Sequence, residues 1–185
     1  MFYIKYVKCI IFFFKQFTFN IKNVTIIVKC GTKWGKVVNE MLSGEYRHSI
    51  DEKKRLIIPS KIRSEMGDRI VITRGLDGCL FGYNEKNWEN IMEKLNTLPF
   101  TKRDARNFTR FLTSGATLLE FDKQGRINIP NYLNEYANLL KDVVIVGVIN
   151  RIEIWSKDKW EEFMNNNIES LSDISENLFD SSINL

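Results

Sequence analysis

The stretch DEKKRLIIP at residues 51–59 recurs as DKQGRINIP at residues 122–130, which lie 71 positions further along the chain. Aspartate, arginine and proline occupy the same positions in both stretches, and apolar residues precede each proline. Beyond them the repeat continues with an offset of 72, which pairs Trp88 with Trp160. Matches at a nearly fixed spacing are the signature of an internal repeat, and here they indicate two copies of a unit of roughly 45 residues.

Both copies predict the same order of elements. An Asp-x-x-x-Arg turn leads into a short apolar strand that ends at proline, because proline cannot donate a hydrogen bond to a sheet. A short helix comes next, followed by a hairpin over residues 69–83 in the first copy and 143–155 in the second. An amphipathic helix closes each copy. On the short helix, the apolar residues predicted to share one face are Ile62 and Met66 in the first copy and Leu133 and Ala137 in the second. On the closing helix, the predicted apolar stripe is Trp88, Ile91, Met92 and Leu95 in the first copy and Trp160, Phe163, Met164 and Ile168 in the second.

The excess of basic residues lies in the first forty positions. The chain has a formal net charge of +4, but residues 1–40 contain seven lysines and one acid, so residues 41–185 carry a net charge of −2. Lys, Phe, Ile, Asn and Tyr supply 24 of those 40 residues, and their codons consist mostly of A and T. We therefore expect residues 1–40 to be a mis-annotated N-terminal extension, translated from DNA upstream of a start at Met41 and not part of the fold. The alternative is a genuine flexible or membrane-touching arm, although its longest apolar run, residues 9–14, is too short to span a bilayer.

The side-chain inventory argues against the common enzyme and metal-site chemistries. His48 is the only histidine, which leaves no basis for histidine metal sites or a Ser-His-Asp triad. The three cysteines, Cys9, Cys30 and Cys79, have neither a zinc-ligand spacing nor an even disulfide count. The chain also lacks a glycine-rich phosphate loop and a nucleophile elbow. We therefore expect a protein that is not an enzyme, with no catalytic residue, no metal and no cofactor.

The repeat and the composition predict where the parts of the chain begin and end. The first unit is expected at residues 41–98 and the second at residues 115–169. A connecting helix is expected between them at residues 99–114, where apolar side chains recur at helical spacing. Residues 170–185 are polar, acidic and without periodicity, so we expect a frayed tail there.

The paired turns, each followed by an apolar strand and proline, resemble the MraZ family of bacterial proteins, as does the start MLSGEY at residues 41–46. The resemblance covers residues 41–170, whereas the extension before Met41 departs from the family pattern. It implies an α+β fold of two tandem AbrB-like swapped-hairpin β-barrel units with flanking helices, related by a pseudo-two-fold axis. It further implies a ring-like homo-oligomer that binds double-stranded DNA in the cytoplasm, associated with the nucleoid. The implied function is a repressor of the division and cell-wall gene cluster that reads GTGG-type direct repeats upstream of its own gene.

The two turns contain residue types that are suited to reading DNA. Asp51 and Asp122 can hold the fork of the arginine four positions on and so orient it. Arg55 and Arg126 then present planar donors that match O6 and N7 of guanine in the major groove. The lysines of the turns suit phosphate contacts, which position the protein without reading sequence. These lysines are Lys53, Lys54 and Lys123.

Other interpretations of these charges are open. An isolated Asp-x-x-x-Arg is most simply a surface ion pair worth about 0–1 kcal/mol, and it is the duplication that favours a functional role. Lys102, Arg106 and Arg110 are spaced four apart and form a basic stripe along the connecting helix. The stripe is either a solvated or salt-bridged face or a set of secondary phosphate contacts.

An AbrB-like antitoxin, or a structural oligomeric protein that binds a partner, is the alternative function. An antitoxin of this type usually carries one such unit and a tail that neutralises a toxin, whereas this chain carries two units. Deletion of the tail separates the two functions, because an antitoxin would lose its partner and a repressor would still bind its operator.

Overall fold

The computed structural model describes residues 17–21, 24–28, 42–168, 170, 171 and 174. The chain divides into two compact parts, residues 1–40 and residues 41–185. Within residues 1–40, β1 (Phe17–Ile21) and β2 (Val24–Val28) pair as an antiparallel hairpin. The expectations about residues 1–40 and the tail at 170–185 fall mostly on positions outside the described residues. Within the described residues, no helix has the length and apolar character that crossing a membrane requires.

Residues 41–185 contain the elements of both copies in the order that the repeat predicts, and each copy also begins with a strand before its turn that the repeat did not predict. A connecting helix, α3 (Arg103–Gly115), lies between the two copies. The first copy consists of β3 (Leu42–Ser49), β4 (Arg55–Ile57), α1 (Ser60–Met66), β5 (Arg69–Arg74), β6 (Leu80–Tyr83) and α2 (Glu85–Asn96). The second consists of β7 (Thr117–Glu120), β8 (Arg126–Asn128), α4 (Asn131–Ala137), β9 (Asp142–Ile149), β10 (Arg151–Ser156) and α5 (Lys157–Asn167). Residues 41–185 thus form a mixed α+β fold of two tandem repeats.

An antiparallel six-stranded sheet joins the two copies, with the strand order β3-β9-β10-β6-β5-β7. Strand β3 of the first copy pairs with β9 of the second, and β7 of the second copy pairs with β5 of the first. The registers are also equivalent, since Ser49 lies opposite Asp142 and Glu120 lies opposite Arg69. Each copy therefore contributes its first strand to the hairpin of the other.

The short helices after the prolines bury the residues that the sequence predicts. Ile62 and Met66 of α1 and Leu133 and Ala137 of α4 all belong to one apolar core. Helix α1 stops at Gly67, which has a positive φ of 81° that glycine adopts without a steric penalty. In the second copy, α4 ends at Asn138, which adopts the left-handed helical conformation with a φ of 53°.

The closing helices cover less of the sheet than their apolar stripes suggest. Leu95 of α2 is buried, but Met92 is 40% exposed. In α5, Trp160 packs against Trp155 of β10, whereas Ile168, which follows the last residue of the helix, is 59% exposed. Part of each predicted apolar stripe therefore faces solvent.

Candidate nucleic-acid interface

Asp51 organises the first turn through both of its carboxylate oxygens. Oδ1 accepts hydrogen bonds from the backbone N–H groups of Lys53 and Arg55, each at 2.9 Å. Oδ2 accepts one from Nε of Arg55 at 2.7 Å and lies 2.6 Å from its Nη2. The backbone N–H of Asp51 donates to the carbonyl of Arg55 at 3.1 Å, which closes the turn. The aspartate therefore fixes both the turn and the direction of the guanidinium group.

The second turn repeats this geometry. Oδ1 of Asp122 accepts from the backbone N–H groups of Gln124 and Arg126, at 2.8 and 2.9 Å. Its Oδ2 accepts from Nε of Arg126 at 2.7 Å and lies 2.7 Å from Nη2. The same aspartate–arginine arrangement is thus built twice in one chain.

Both aspartates remain ionised in their turns. The side-chain hydrogen bond from Arg55 is the main cause that lowers the pKa of Asp51 below its ordinary value. The backbone hydrogen bond from Arg126 is the main cause that lowers the pKa of Asp122 to about 2. Hydrogen bonds to a charged carboxylate favour the charged form, so both arginines stay paired at neutral pH.

Each guanidinium group keeps one edge for a ligand. The aspartate occupies the edge made by Nε and Nη2, and within the part of the chain that the structure describes no hydrogen bond engages Nη1 of Arg55 or Arg126. The two arginine side chains are 33% and 20% exposed. The remaining Nη1 and Nη2 hydrogens form a planar pair of donors, which is the arrangement that O6 and N7 of a guanine accept.

A two-stranded antiparallel ribbon of β4 and β8 presents both arginines on the same side. Leu56 and Ile127 pair at its centre, and both are fully buried. Because side chains alternate along a strand, the residues on either side of this pair lie on the opposite, outer face of the ribbon. The residues of this outer face are Arg55, Ile57, Arg126 and Asn128.

Backbone hydrogen bonds also fasten each turn to the other copy. The N–H of Ile58 donates to the carbonyl of Gly125 at 3.0 Å, and the N–H of Ile129 donates to the carbonyl of Lys54 at 3.1 Å. The residue before each proline thus holds the turn of the other copy. The two turns and the ribbon between them are therefore one connected surface.

The structure places all three predicted phosphate-contacting lysines in the turns. Lys53 and Lys123 are exposed, while Lys54 is half-buried and has a positive φ of 59°. Gly125, with a φ of 74°, occupies the matching position of the second turn. All three lysines belong to the turns that precede the two strands of the ribbon.

The basic stripe of the connecting helix is a separate feature. Helix α3, which carries Arg106 and Arg110, packs against β5. Nη1 of Arg106 donates to the carbonyls of Phe100 and Thr101, both at 2.8 Å, so it closes the turn before the helix. Lys102 and Arg110 are exposed. The structure therefore gives Arg106 a local role that the spacing of the stripe did not indicate.

Three residues near the turns were not singled out from the sequence. Ile57 and Asn128 lie on the outer face of the ribbon, and strand alternation next to each arginine would have located them. Arg63 of α1 lies against Gly125 of the second turn. No local signal places Arg63 there, because the two positions are far apart in the sequence. Among the described residues, no group of three or more His, Cys, Asp and Glu is arranged to hold a metal ion.

Comparison with known proteins identifies the family of the chain. The family model described as "MraZ protein, putative antitoxin-like" matches residues 41–111 and again residues 112–182. The chain is 56% identical over 140 residues to the protein named Transcriptional regulator MraZ of Ligilactobacillus salivarius (strain UCC118), which covers 76% of this chain and 98% of that relative. It is also 56% identical over 138 residues to the protein of the same name from Thermoanaerobacter pseudethanolicus (strain ATCC 33223 / 39E), covering 75% and 96% of the two chains. The two matches confirm the internal repeat, and together with these identities they show that the chain belongs to the MraZ family.

Proposed function

We propose that the chain is a sequence-specific DNA-binding transcriptional repressor and that the outer face of the ribbon reads its operator. The observation that carries this proposal is the duplicated aspartate–arginine pair, which aims two guanidinium groups outward from one ribbon. The relatives named as transcriptional regulators support the same class of function and favour it over an enzyme.

The chemistry of the interface divides between the arginines and the lysines. Arg55 and Arg126 read guanines in the major groove, and a GTGG box offers three guanines to such a reader. The pairing with aspartate holds each guanidinium in place beforehand, which lowers the entropy lost on binding. The lysines of the turns contact phosphates and contribute affinity that does not depend on sequence.

Residues 41–185 have a net charge of −2, so attraction to DNA depends on the local cations of the turns and on the number of turns presented together. We therefore include in the proposal a ring-like homo-oligomer that engages several boxes at once, with the swapped-hairpin β-barrel of the AbrB type as its repeating unit. Linked binding sites raise the effective concentration of each further contact. The target in this proposal is the division and cell-wall gene cluster, including the gene of the protein itself, and the protein associates with the nucleoid.

Spacing of the operator boxes tests this function directly. The full chain should bind a duplex with three GTGG boxes spaced 10 bp apart, because that spacing places all boxes on one face of the DNA. Insertion of 5 bp between boxes should weaken binding by about 10²-fold, since neighbouring turns can no longer engage together. Insertion of 10 bp is the matched control and should weaken binding far less.

Deletion of the tail separates the repressor from the antitoxin alternative. A variant that lacks residues 170–185 should retain operator binding, because both turns remain intact. Equal affinity for the operator and for a scrambled duplex of the same length would refute sequence-specific repression.

The codons of residues 30–38 offer a location for these boxes. Cys30-Gly31 can be encoded by TGT-GGN, Lys33-Trp34 by AAG-TGG and Val37-Val38 by GTG-GTN, and each pair of codons contains GTGG. With these codons the boxes begin 10 nucleotides apart, close to the 10–10.5 bp of one DNA turn.

We expect the gene to contain these three codon pairs, and determination of its nucleotide sequence checks this. TGC at Cys30, AAA at Lys33 or a codon other than GTG at Val37 would remove a box and contradict this location.

A further inference from the structure

The two turns differ at the position that adopts a left-handed backbone. Lys54 occupies it in the first turn and Gly125 in the second, with φ values of 59° and 74°. The first turn thus contributes a lysine at this position, and the second contributes no side chain. The difference leaves the second turn with one cation fewer than the first.

Two helix residues at equivalent positions of the two copies, Arg63 and Asn134, also differ in size and charge. Nε of Arg63 in α1 donates to the carbonyl of Ile58 at 3.0 Å. At the equivalent position of α4, Nδ2 of Asn134 donates to the carbonyl of Ile129 at 2.7 Å. The two side chains therefore make the same backbone contact, but one is a long cation and the other is short and neutral.

Arg63 fills the space that the glycine leaves. A Cβ built on Gly125 would overlap Cζ and Nη1 of Arg63 and would lie 2.7 Å from its Nε. The guanidinium of Arg63 therefore lies where a side chain at position 125 would begin. The second turn therefore combines a glycine with the arginine of the helix, whereas the equivalent positions in the turn and the helix, 54 and 134, hold a lysine and an asparagine.

The charge of Arg63 is not neutralised by a carboxylate among the described residues. The ion pairs that these residues form involve other cations, whereas Arg63 is half-buried and anchored through Nε alone. Asp68, Glu120 and Asp122 line an open cleft together with Arg63 and Arg69, and these three carboxylates would repel an anion inside the cleft. We therefore expect a phosphate to approach the guanidinium of Arg63 from outside this cleft.

We propose that Arg63 is a phosphate-binding residue of the second turn and replaces, from the first copy, the cation that Lys54 supplies to the first turn. This inference rests on the proposed function, because it requires that the turns bind DNA. A guanidinium matches a backbone phosphate with two parallel donors. Arg63 lies on a helix beside the ribbon rather than on its outer face, so it contributes affinity and not base preference.

Salt dependence of DNA binding by the full chain tests the assignment. Arg63→Gln keeps an N–H donor for the carbonyl of Ile58 and removes the charge. Its plot of log K against log salt should be shallower by about 0.9 for each chain bound, because one phosphate contact is lost. Affinity for the operator and for a scrambled duplex should fall by the same factor. Arg63→Lys should preserve the slope, and Lys86→Gln on the exposed side of α2 is the control that should change neither quantity.

A reciprocal exchange distinguishes charge from packing. The double variant Arg63→Asn with Gly125→Lys rebuilds the arrangement of the first turn at the second, so it should bind with the original salt slope. Thermal unfolding of each variant identifies those that fold, and Arg63→Lys and the double variant keep the test available if Arg63→Gln does not. A folded double variant with the shallower slope would overturn the assignment.

The inference and the proposed function fail in different ways. If Arg63→Gln leaves both slope and affinity unchanged while Arg126→Ala weakens binding, the role of Arg63 is wrong and the function stands. If Arg126→Ala also leaves binding unchanged, the turns do not bind DNA and the proposed function is wrong.

Discussion

Replacement of both Arg55 and Arg126 by alanine is expected to abolish specific binding to the GTGG boxes. Each bidentate arginine–guanine contact is worth about 1–3 kcal/mol of discrimination. Loss of the two contacts in one chain corresponds to a loss of affinity between about 30-fold and about 2 × 10⁴-fold. Fluorescence anisotropy with the full chain and a labelled three-box duplex measures this change, and a scrambled duplex measures the binding that remains.

Neutral lysine variants provide the control for the arginine experiment. Replacement of Lys53, Lys54 and Lys123 by glutamine should make the salt dependence shallower and leave the preference for GTGG intact. Thermal unfolding of each variant checks that the fold is retained. If the single variants Arg55→Ala and Arg126→Ala both bind the boxes as tightly as the unmodified chain, the assignment of these arginines as base readers is wrong.

Leu56→Ala is expected to lower the free energy of unfolding by about 2–5 kcal/mol. Leu56 is fully buried and lies opposite Ile127 at the centre of the ribbon, where the two copies meet. The truncation leaves a cavity between the copies, and neither copy can close it without moving the strand that carries an arginine. Urea unfolding at one fixed protein concentration measures the loss, because oligomerisation makes apparent stability depend on concentration.

The neighbouring residue supplies a matched control. Ile57 is 46% exposed on the outer face of the ribbon, so Ile57→Ala should lower the free energy of unfolding much less. Equal effects of the two substitutions would contradict the alternation of buried and outward side chains along β4.

The order of elements could be predicted from the sequence because its signals are local. A turn with aspartate and arginine four positions apart, a proline after an apolar strand, and Gly67 after a short helix each act within a few residues. The pairing of β3 with β9 could not be predicted in this way. Hydrophobic alternation marks a strand but does not name its partner, and here the partner is about one hundred residues away.

The candidate site also combines contacts that could be predicted from the sequence with contacts that could not. The hydrogen bond from the guanidinium of Arg55 to the carboxylate of Asp51 follows from spacing within one turn, and the structure contains it. The contact of Arg63 with Gly125 depends on the way the second copy packs on the first, which local periodicity does not contain. Met92 is a further case, because a helical stripe shows which residues share a face but not how much of that face the sheet covers.

The covalent link between the copies removes a constraint that a dimer of two separate, identical chains would have. In such a dimer, any change in one turn appears in both, and the exact two-fold symmetry suits a palindromic site. Here Lys54 and Gly125 differ, as do Arg63 and Asn134, so the ribbon has one end that is chemically distinct from the other. A reader with two unlike ends has a polarity along the DNA. Polarity of this kind suits sites that all run in one direction, which is the arrangement of direct repeats in the proposed operator.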